Sequence, residues 1–175
     1  GTDRLVLGWS LAEPSLSRGS LVLTNTATGQ QVHIQGFDAE DPETATPIDF
    51  IELVGEDGQP LVLSTAELIA QLGLGSQGSD GDDALSATVF TDRHAGGLGD
   101  DSYWVDGPAD EVHEREGEGH DTVIASLDWT LADHVEDLVL ADGAGSGAGN
   151  ELANLLLGNA GANALYAMAG DGLLG

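Results

Sequence analysis

No cysteine and no lysine occur among the 175 residues, and aromatic side chains make up 5% of the chain. Without cysteine there can be no disulfide staple, no thiol chemistry and no cysteine-ligated zinc or iron–sulfur centre, although the compartment stays open. Basic residues amount to 4 arginines against 31 Asp and Glu, a formal net charge of −27. Nucleic acid is excluded as a partner, because phosphate binding runs on Lys and Arg that release counterions. An anionic membrane surface is disfavoured for the same reason. No apolar run approaches the ~18 residues of a membrane span, so no membrane insertion is expected. Gly1–Asp3 does not begin a signal peptide, and the chain starts on glycine and stops at "GDGLLG" in mid-pattern. The expectation is a piece of a longer polypeptide.

Hydrophobic residues at 41% are enough for a real core. The carboxylates repel one another and oppose folding unless cations neutralise part of them, and a hard divalent cation with oxygen ligands is the natural candidate. Residues 1–75 read as a small β-rich module: "RLVLGWSL", "GSLVLTN", "QQVHIQGF", "DFIELVG" and "PLVLS" are short strands separated by turn chemistry, with Leu21–Thr24 and Gln31–Ile34 as a hairpin. "STAELIAQLG" has Ser64 followed three residues later by Glu67, a capping box opening a short helix that Gly73 ends. Asp38–Pro47 reads as a surface loop whose Asp41-Pro42 bond needs no special role.

From Gly78 onward glycine, aspartate and asparagine recur with a period of nine. "GSDGDDALS" (78–86), "ATVFTDRHA" (87–95) and "GGLGDDSYW" (96–104) carry Asp83, Asp92 and Asp101 at the sixth place. A two-residue slip assigned to Val105–Asp106, with a degenerate nonamer, leads to "EGEGHDTVI" (116–124) and Asp121. "GNELANLLL", "GNAGANALY" and "AMAGDGLLG" continue the period with Asn154, Asn163 and Gly172 at the sixth place. Leu85, His94, Tyr103, Val123, Leu156, Leu165 and Leu174 fall at the inward eighth place, where only His94 is an awkward fit. "DTVIASLDWTL" alternates, putting Val123, Ala125, Leu127, Trp129 and Leu131 on one face.

The pattern G-G-x-G-x-D-x-U-x resembles the calcium-binding nonapeptide of haemolysin-type RTX proteins. "GGLGDDSYW" matches every fixed position and "GSDGDDALS" misses one glycine; residues 1–75 resemble, more weakly, a calcium-binding-related module found among such repeats. The resemblance implies an all-β, right-handed parallel β-roll or β-solenoid over 76–175 that binds Ca²⁺, folds after export and leaves by a type I secretion machinery. Glycines at positive φ turn carbonyls inward, and two nonamers make one coil, so residues 18 apart stack. Calcium between successive loops would take two aspartates plus carbonyls. The first expected site lies between Gly78, Asp80, Gly81, Asp82, Asp83 and Gly96, Gly97, Gly99, Asp100, Asp101; a second reaches Asp121. Asp92, on the opposite flank, lacks a glycine-bearing partner. Asn154 and Asn163 keep an oxygen but lose the charge, so asparagine ladders are expected there in place of strong sites.

Other chemistries are weaker. "HEREGEGHD" misses the H-E-x-x-H spacing because Gly117 stands where the second histidine belongs, and most of its side chains read as solvated loop. No G-x-S-x-G or P-loop is present, and no enzyme is expected. His33 and His134 read as packing or surface residues. Trp9, Trp104 and Trp129 could form a sugar-stacking platform but read more simply as caps on β cores. The expected role is a structural calcium-binding segment of a secreted or cell-surface protein. Two alternatives are an adhesin, surface-layer or filament subunit associating through solenoid ends, and the accessory module of a secreted hydrolase or epimerase.

Overall fold

The computed structural model describes residues 3–9, 14–17, 20–25, 27–37, 48–54, 59–168 and 173–174. The Asp38–Pro47 loop and Gly172 lie outside them. The chain divides into two compact units, Gly1–Gly75 with Thr88–Thr91, and Ser76–Ala87 with Asp92–Gly175.

In the first unit the short apolar runs become strands β1 (Arg4–Val6), β2 (Ser15–Ser17), β3 (Ser20–Thr24), β4 (Gln31–Gln35), β5 (Phe50–Val54) and β6 (Pro60–Ser64). β3 and β4 form the expected hairpin, with Leu21 opposite Ile34 and Leu23 opposite Val32, and β2 adds to β3 antiparallel. β5 pairs antiparallel with β6 and parallel with β1. Helix α1 (Thr65–Leu72) starts where Ser64 accepts the Glu67 N–H and the Glu67 carboxylate accepts the Ser64 N–H, both arms of the capping box. Gly73 ends it at φ 78°. Its Leu68 and Ile69 join Leu7, Leu21, Leu23, Ile34, Ile51 and Leu74 in a buried core against which Trp9 and Phe90 pack. Ser64→Ala should cost this unit about 1 kcal/mol, read as a lower urea midpoint with unchanged m.

β7 (Leu74–Gln77) carries the chain into the second unit. There β8 (Ala84–Leu85), β9 (Asp92–Ala95), β10 (Ser102–Val105), β11 (Glu111–Val112), β12 (Thr122–Ala125), β13 (Trp129–Thr130), β14 (Asp137–Leu140), β15 (Ser146–Ala148), β16 (Leu155–Leu157), β17 (Ala164–Tyr166) and β18 (Leu173–Leu174) alternate between two walls. One wall is an unbroken parallel file, β8-β10-β12-β14-β16-β18, which makes roughly five turns of a β-solenoid. The other holds β9 paired with β11, and β13-β15-β17, all parallel. The nine-residue period thus becomes half a turn. Tyr103, Val105, Val123, Ala125, Leu138, Leu140 and Leu156 fill the interior with Val112 and Leu131.

The register locates the irregularities. Along the first wall Ser102 faces Ala84, Thr122 faces Ser102, Asp137 faces Thr122, Leu155 faces Asp137 and Leu173 faces Leu155. The steps are 18, 20, 15, 18 and 18 residues. On the second wall Val112 still faces His94, and Gly96 donates its N–H toward Glu114, both at the regular 18. The slip is therefore not at Val105–Asp106: the two extra residues sit beyond Glu114, in a turn where Arg115 and Glu118 bond each other's backbone and Gly117 takes φ 83°. A turn there bulges into solvent, whereas one at Val105 would push a fully buried side chain out of the core. The face expected to run from Val123 to Leu131 is likewise not one strand. β12 stops at Ala125, the chain turns a corner, and Trp129 begins the other wall.

His94 fits after all. Fully buried at the inward eighth place, it stacks on Tyr103 with ring centroids 6.1 Å apart. Its Nε2 lies 3.0 Å from the Trp104 carbonyl and Nδ1 2.5 Å from Ser76 Oγ. A carbonyl only accepts, so Nε2 carries the proton and Nδ1 accepts the Ser76 hydroxyl. Burial pushes its pKa down, which keeps the ring neutral.

Candidate metal centre

Successive coils are tied along one flank by carboxylates that accept backbone N–H groups from the coil before. Asp83 N–H donates to Asp101 Oδ1 at 2.7 Å, Asp101 N–H to Asp121 Oδ1 at 2.9 Å, and Asp121 N–H to Glu136 Oε2 at 2.8 Å. An outer file runs in the opposite sense, its carboxylates accepting from the coil after: Asp100 N–H donates to Asp82 Oδ1, and His120 N–H to Asp100 Oδ1. The spacing of Asp83, Asp101 and Asp121 becomes a physical ladder because the loop glycines allow the coils to touch. A Cβ on Gly97 would run into the Ser79 carbonyl of the coil before, and one on Gly99, which takes φ 118°, into the Gly81 and Asp82 backbone.

Asp101 and Asp121 are each about 1% exposed, and Glu114 joins them; one carboxylate oxygen from each lies within 4.8 Å of the others. The Tyr103 hydroxyl donates to Glu114 Oε1 and lies 3.5 Å from Asp101 Oδ2. Glu114 Oε2 is buried without a hydrogen-bond partner. Burial pushes the Asp121 carboxyl up to about 6, with the Glu114, Asp101 and Glu136 charges adding to it against the Asp101 N–H. Asp101 and Glu114 are also raised, chiefly by burial. Three such groups cannot all ionise cheaply without a positive counter-charge. The donors are all oxygen and include an unsatisfied one, which suits a hard divalent cation such as calcium.

Of the residues expected at the first site, Asp83 stands outside this group. Its Oδ2 accepts the Ser79 N–H at 2.6 Å and hydroxyl at 2.8 Å, bonds that hold its carboxyl below the usual range. Asp80, Gly81, Asp82 and Asp100 are exposed, and Gly78, Gly96, Gly97 and Gly99 supply loop backbone. On the opposite flank Asp92 does gain neighbours: oxygens of Asp92, Asp106 and Asp110 lie within 4.8 Å of one another. Asp110 accepts N–H groups from Asp92, Asp106 and Gly107. Glu114, Asp110 and Glu136 were missed by the sequence reading. Counting 18 residues on from Gly96 and Asp92 finds the first two, a count that the slip assigned to Val105–Asp106 hid. Glu136 follows a step of 15, which no repeat announces.

The later coils replace charge with amides. Asn150 Nδ2 donates to the Ala132 and Val135 carbonyls, Asn154 Nδ2 to those of Val135 and Glu136, and Asn159 Nδ2 to those of Ala141 and Ala144. Each NH₂ bridges two carbonyls of the preceding coil. The expected asparagine ladder is therefore mostly a set of side-chain-to-backbone clamps, with one direct amide pair, Asn163 to Asn159 at 3.1 Å.

Fold and site together define a parallel β-solenoid with acidic, glycine-bearing loops on its first three coils and asparagine clamps on the later ones. Among curated proteins the chain is 31% identical over 90 residues to endo-1,3-1,4-beta-glycanase ExsH of Rhizobium meliloti (strain 1021), a match covering 50% of this chain and 18% of the glycanase. No family model and no solved structure matches it. Among the described residues no helix is long and apolar enough to cross a membrane.

Proposed function

We propose that the second unit is a calcium-binding structural segment of a larger exported protein, in which calcium closes the first coils of the solenoid after export. The observation that carries this reading is the meeting of Asp101, Glu114 and Asp121, two of them fully buried, in a chain of net charge −27. These three would hold the ion. Calcium would supply there the positive charge that lets the carboxylates ionise, and Asp92, Asp106 and Asp110 form a second, more exposed group of the same chemistry. Resemblance to RTX proteins supports type I secretion and an extracellular location, where calcium is plentiful. The partial likeness to a glycanase favours the accessory module of a secreted hydrolase over a self-associating filament subunit.

Proton release tests the reading. Because Asp121 titrates near 6 without a cation, adding calcium at about pH 6 should expel protons that pH-stat titration counts, and fewer at about pH 8 where the group is already ionised. Equal release at both values would remove the buried carboxylates from the binding step. Tyr103→Phe takes away the donor to Glu114 and should raise the calcium requirement severalfold in a dye-competition titration. An unchanged requirement would mean that Tyr103 does not hold Glu114 in place.

A further inference from the structure

The second wall is interrupted where the first is not. Among the described residues β11 pairs only back to β9, and β13 only forward to β15. The half-turn from Val123 to Trp129 spans six residues, whereas Leu138 to Gly147, the same stretch one coil later, spans nine. The wall of β10, β12, β14 and β16 stays in register throughout, so its outward side chains stand in straight files.

One of those files is apolar. Trp104 faces Ile124, Ile124 faces Val139 and Val139 faces Leu157, one on each of four neighbouring strands. Trp104 is 45% exposed and Leu157 36%, with Ile124 and Val139 half-buried between them. A sheet with one face in water ordinarily puts polar residues at the outward positions. The second wall does so where Arg93 bridges Glu111 at 3.3 Å, and the file of Ser102, Thr122 and Asp137 beside the stripe does too. Trp9 and Trp129 pack on the cores of their own units, so no three-tryptophan platform forms and the exposed indole is that of Trp104.

The margins of the stripe are acidic. Asp82 and Asp100 are exposed in the loops entering β8 and β10, Asp137 lies two residues from Val139, and Asp142 is exposed just past β14. None of the four arginines lies on this wall: Arg4 and Arg18 belong to the first unit, Arg93 is on β9 and Arg115 is in the turn beyond Glu114. We propose that this stripe docks a cationic amphipathic helix of a partner protein.

Spacing selects a helix and charge selects its sign. Strands about 4.8 Å apart put the ends of the stripe about 14 Å from each other. Helical residues at i, i+4, i+7 and i+11 share one face and cover about 16 Å, one apolar side chain per coil, whereas four alternate residues of an extended strand cover about 20 Å and fall out of step. Lys or Arg on the flanks of such a helix meets the acidic margins. A second copy of this chain is a poor occupant. Its α1 is eight residues long, carries no Lys or Arg and buries Leu68 and Ile69 in its own core, and two chains of net charge −27 repel.

The test is fluorescence anisotropy of a labelled leucine–lysine peptide, with leucines at i, i+4, i+7 and i+11, against the full chain in saturating calcium. The controls are the same peptide with glutamate for lysine, and oligolysine of equal length. The leucine–lysine peptide should bind at least tenfold tighter than oligolysine, the glutamate peptide should not bind, and affinity should fall as salt rises from ~0.05 to ~0.3 M. Trp104→Thr combined with Leu157→Thr, both at exposed strand positions, should weaken leucine–lysine binding about tenfold and leave oligolysine binding unchanged. In the parent the Trp104 indole N–H signal should shift with the peptide while those of Trp9 and Trp129 stay put, a readout that needs no variant. Equal affinity for oligolysine, full affinity in the folded double variant or an unmoved Trp104 signal would each overturn the proposal. Sedimentation that shows a dimeric parent and a monomeric double variant would overturn it in favour of a second copy. Calcium binding can fail while this result stands, because no residue of the stripe is a carboxylate.

Discussion

Asp121→Asn should be more stable than the parent in chelator and less stable in calcium. Without a cation the folded state raises the Asp121 pKa to about 6 from an ordinary 3.8, so folding favours the protonated form. That contribution is fully present below the unfolded value and is lost as pH rises toward the folded one, which makes the metal-free unit more stable at about pH 4 than at about pH 7. A neutral amide of the same shape removes the cost of the charge. In calcium the sign reverses. A site with a dissociation constant of ~10⁻⁴ M contributes about 1.4 kcal/mol at ~1 mM free ion, and the coupling of neighbouring coils adds to it. The variant should forfeit this increment, seen as a melting curve that moves less than the parent's when calcium is added, the remaining shift belonging to the Asp92, Asp106 and Asp110 group. A parent and variant that respond equally to calcium would refute the assignment of Asp121 as a ligand.

Asn154→Ala should destabilise the solenoid by about 2 kcal/mol, and by the same amount in chelator and in calcium. Its Nδ2 donates to two carbonyls of the previous coil at 3.0 Å each, and its Oδ1 accepts the Asn150 N–H at 2.9 Å. With the residue itself only 3% exposed, truncation leaves those groups unpaired where water reaches poorly. Asn154→Asp is the informative companion. It keeps the acceptor, loses both donors and places a carboxylate against two carbonyl oxygens, so it should cost at least as much as alanine unless a cation enters. Thermal unfolding of both variants with and without calcium checks this. A calcium-dependent loss in Asn154→Ala would show that the amide clamps and the acidic coils are not independent supports.

These predictions rest on a division of labour between the coils. In the first three, inward carboxylates meet, and under the proposed function a cation would supply the positive charge that closes the loops. In the later ones, the amide NH₂ supplies hydrogen-bond donors in the same direction, toward carbonyls of the coil before, and no ion is needed. Aspartate and asparagine differ by one group at a shared place in the repeat, and under the proposed function that group would decide whether the rung is conditional on calcium or permanent.

Much of this was legible from spacing. The nine-residue period, the sixth-place aspartates and the eighth-place apolar residues determined a solenoid of two half-turns per coil, because a repeating backbone bond pattern places equivalent residues over one another. The capping box at Ser64 and Glu67 determined a helix start, and the β3–β4 hairpin was visible in its alternation, since both are local in sequence. Packing alone decided where the irregularities went. The interior could not yield at Val105, so two extra residues moved out to the turn beyond Glu114, and this kept Glu114 at the regular interval beside Asp101 and Asp121. The three residues missing before Trp129 had no outlet of that kind, and the second wall opened there. A period read from sequence determines which residues stack, but an insertion or deletion is accommodated wherever the folded chain loses least burial, which only the tertiary structure decides.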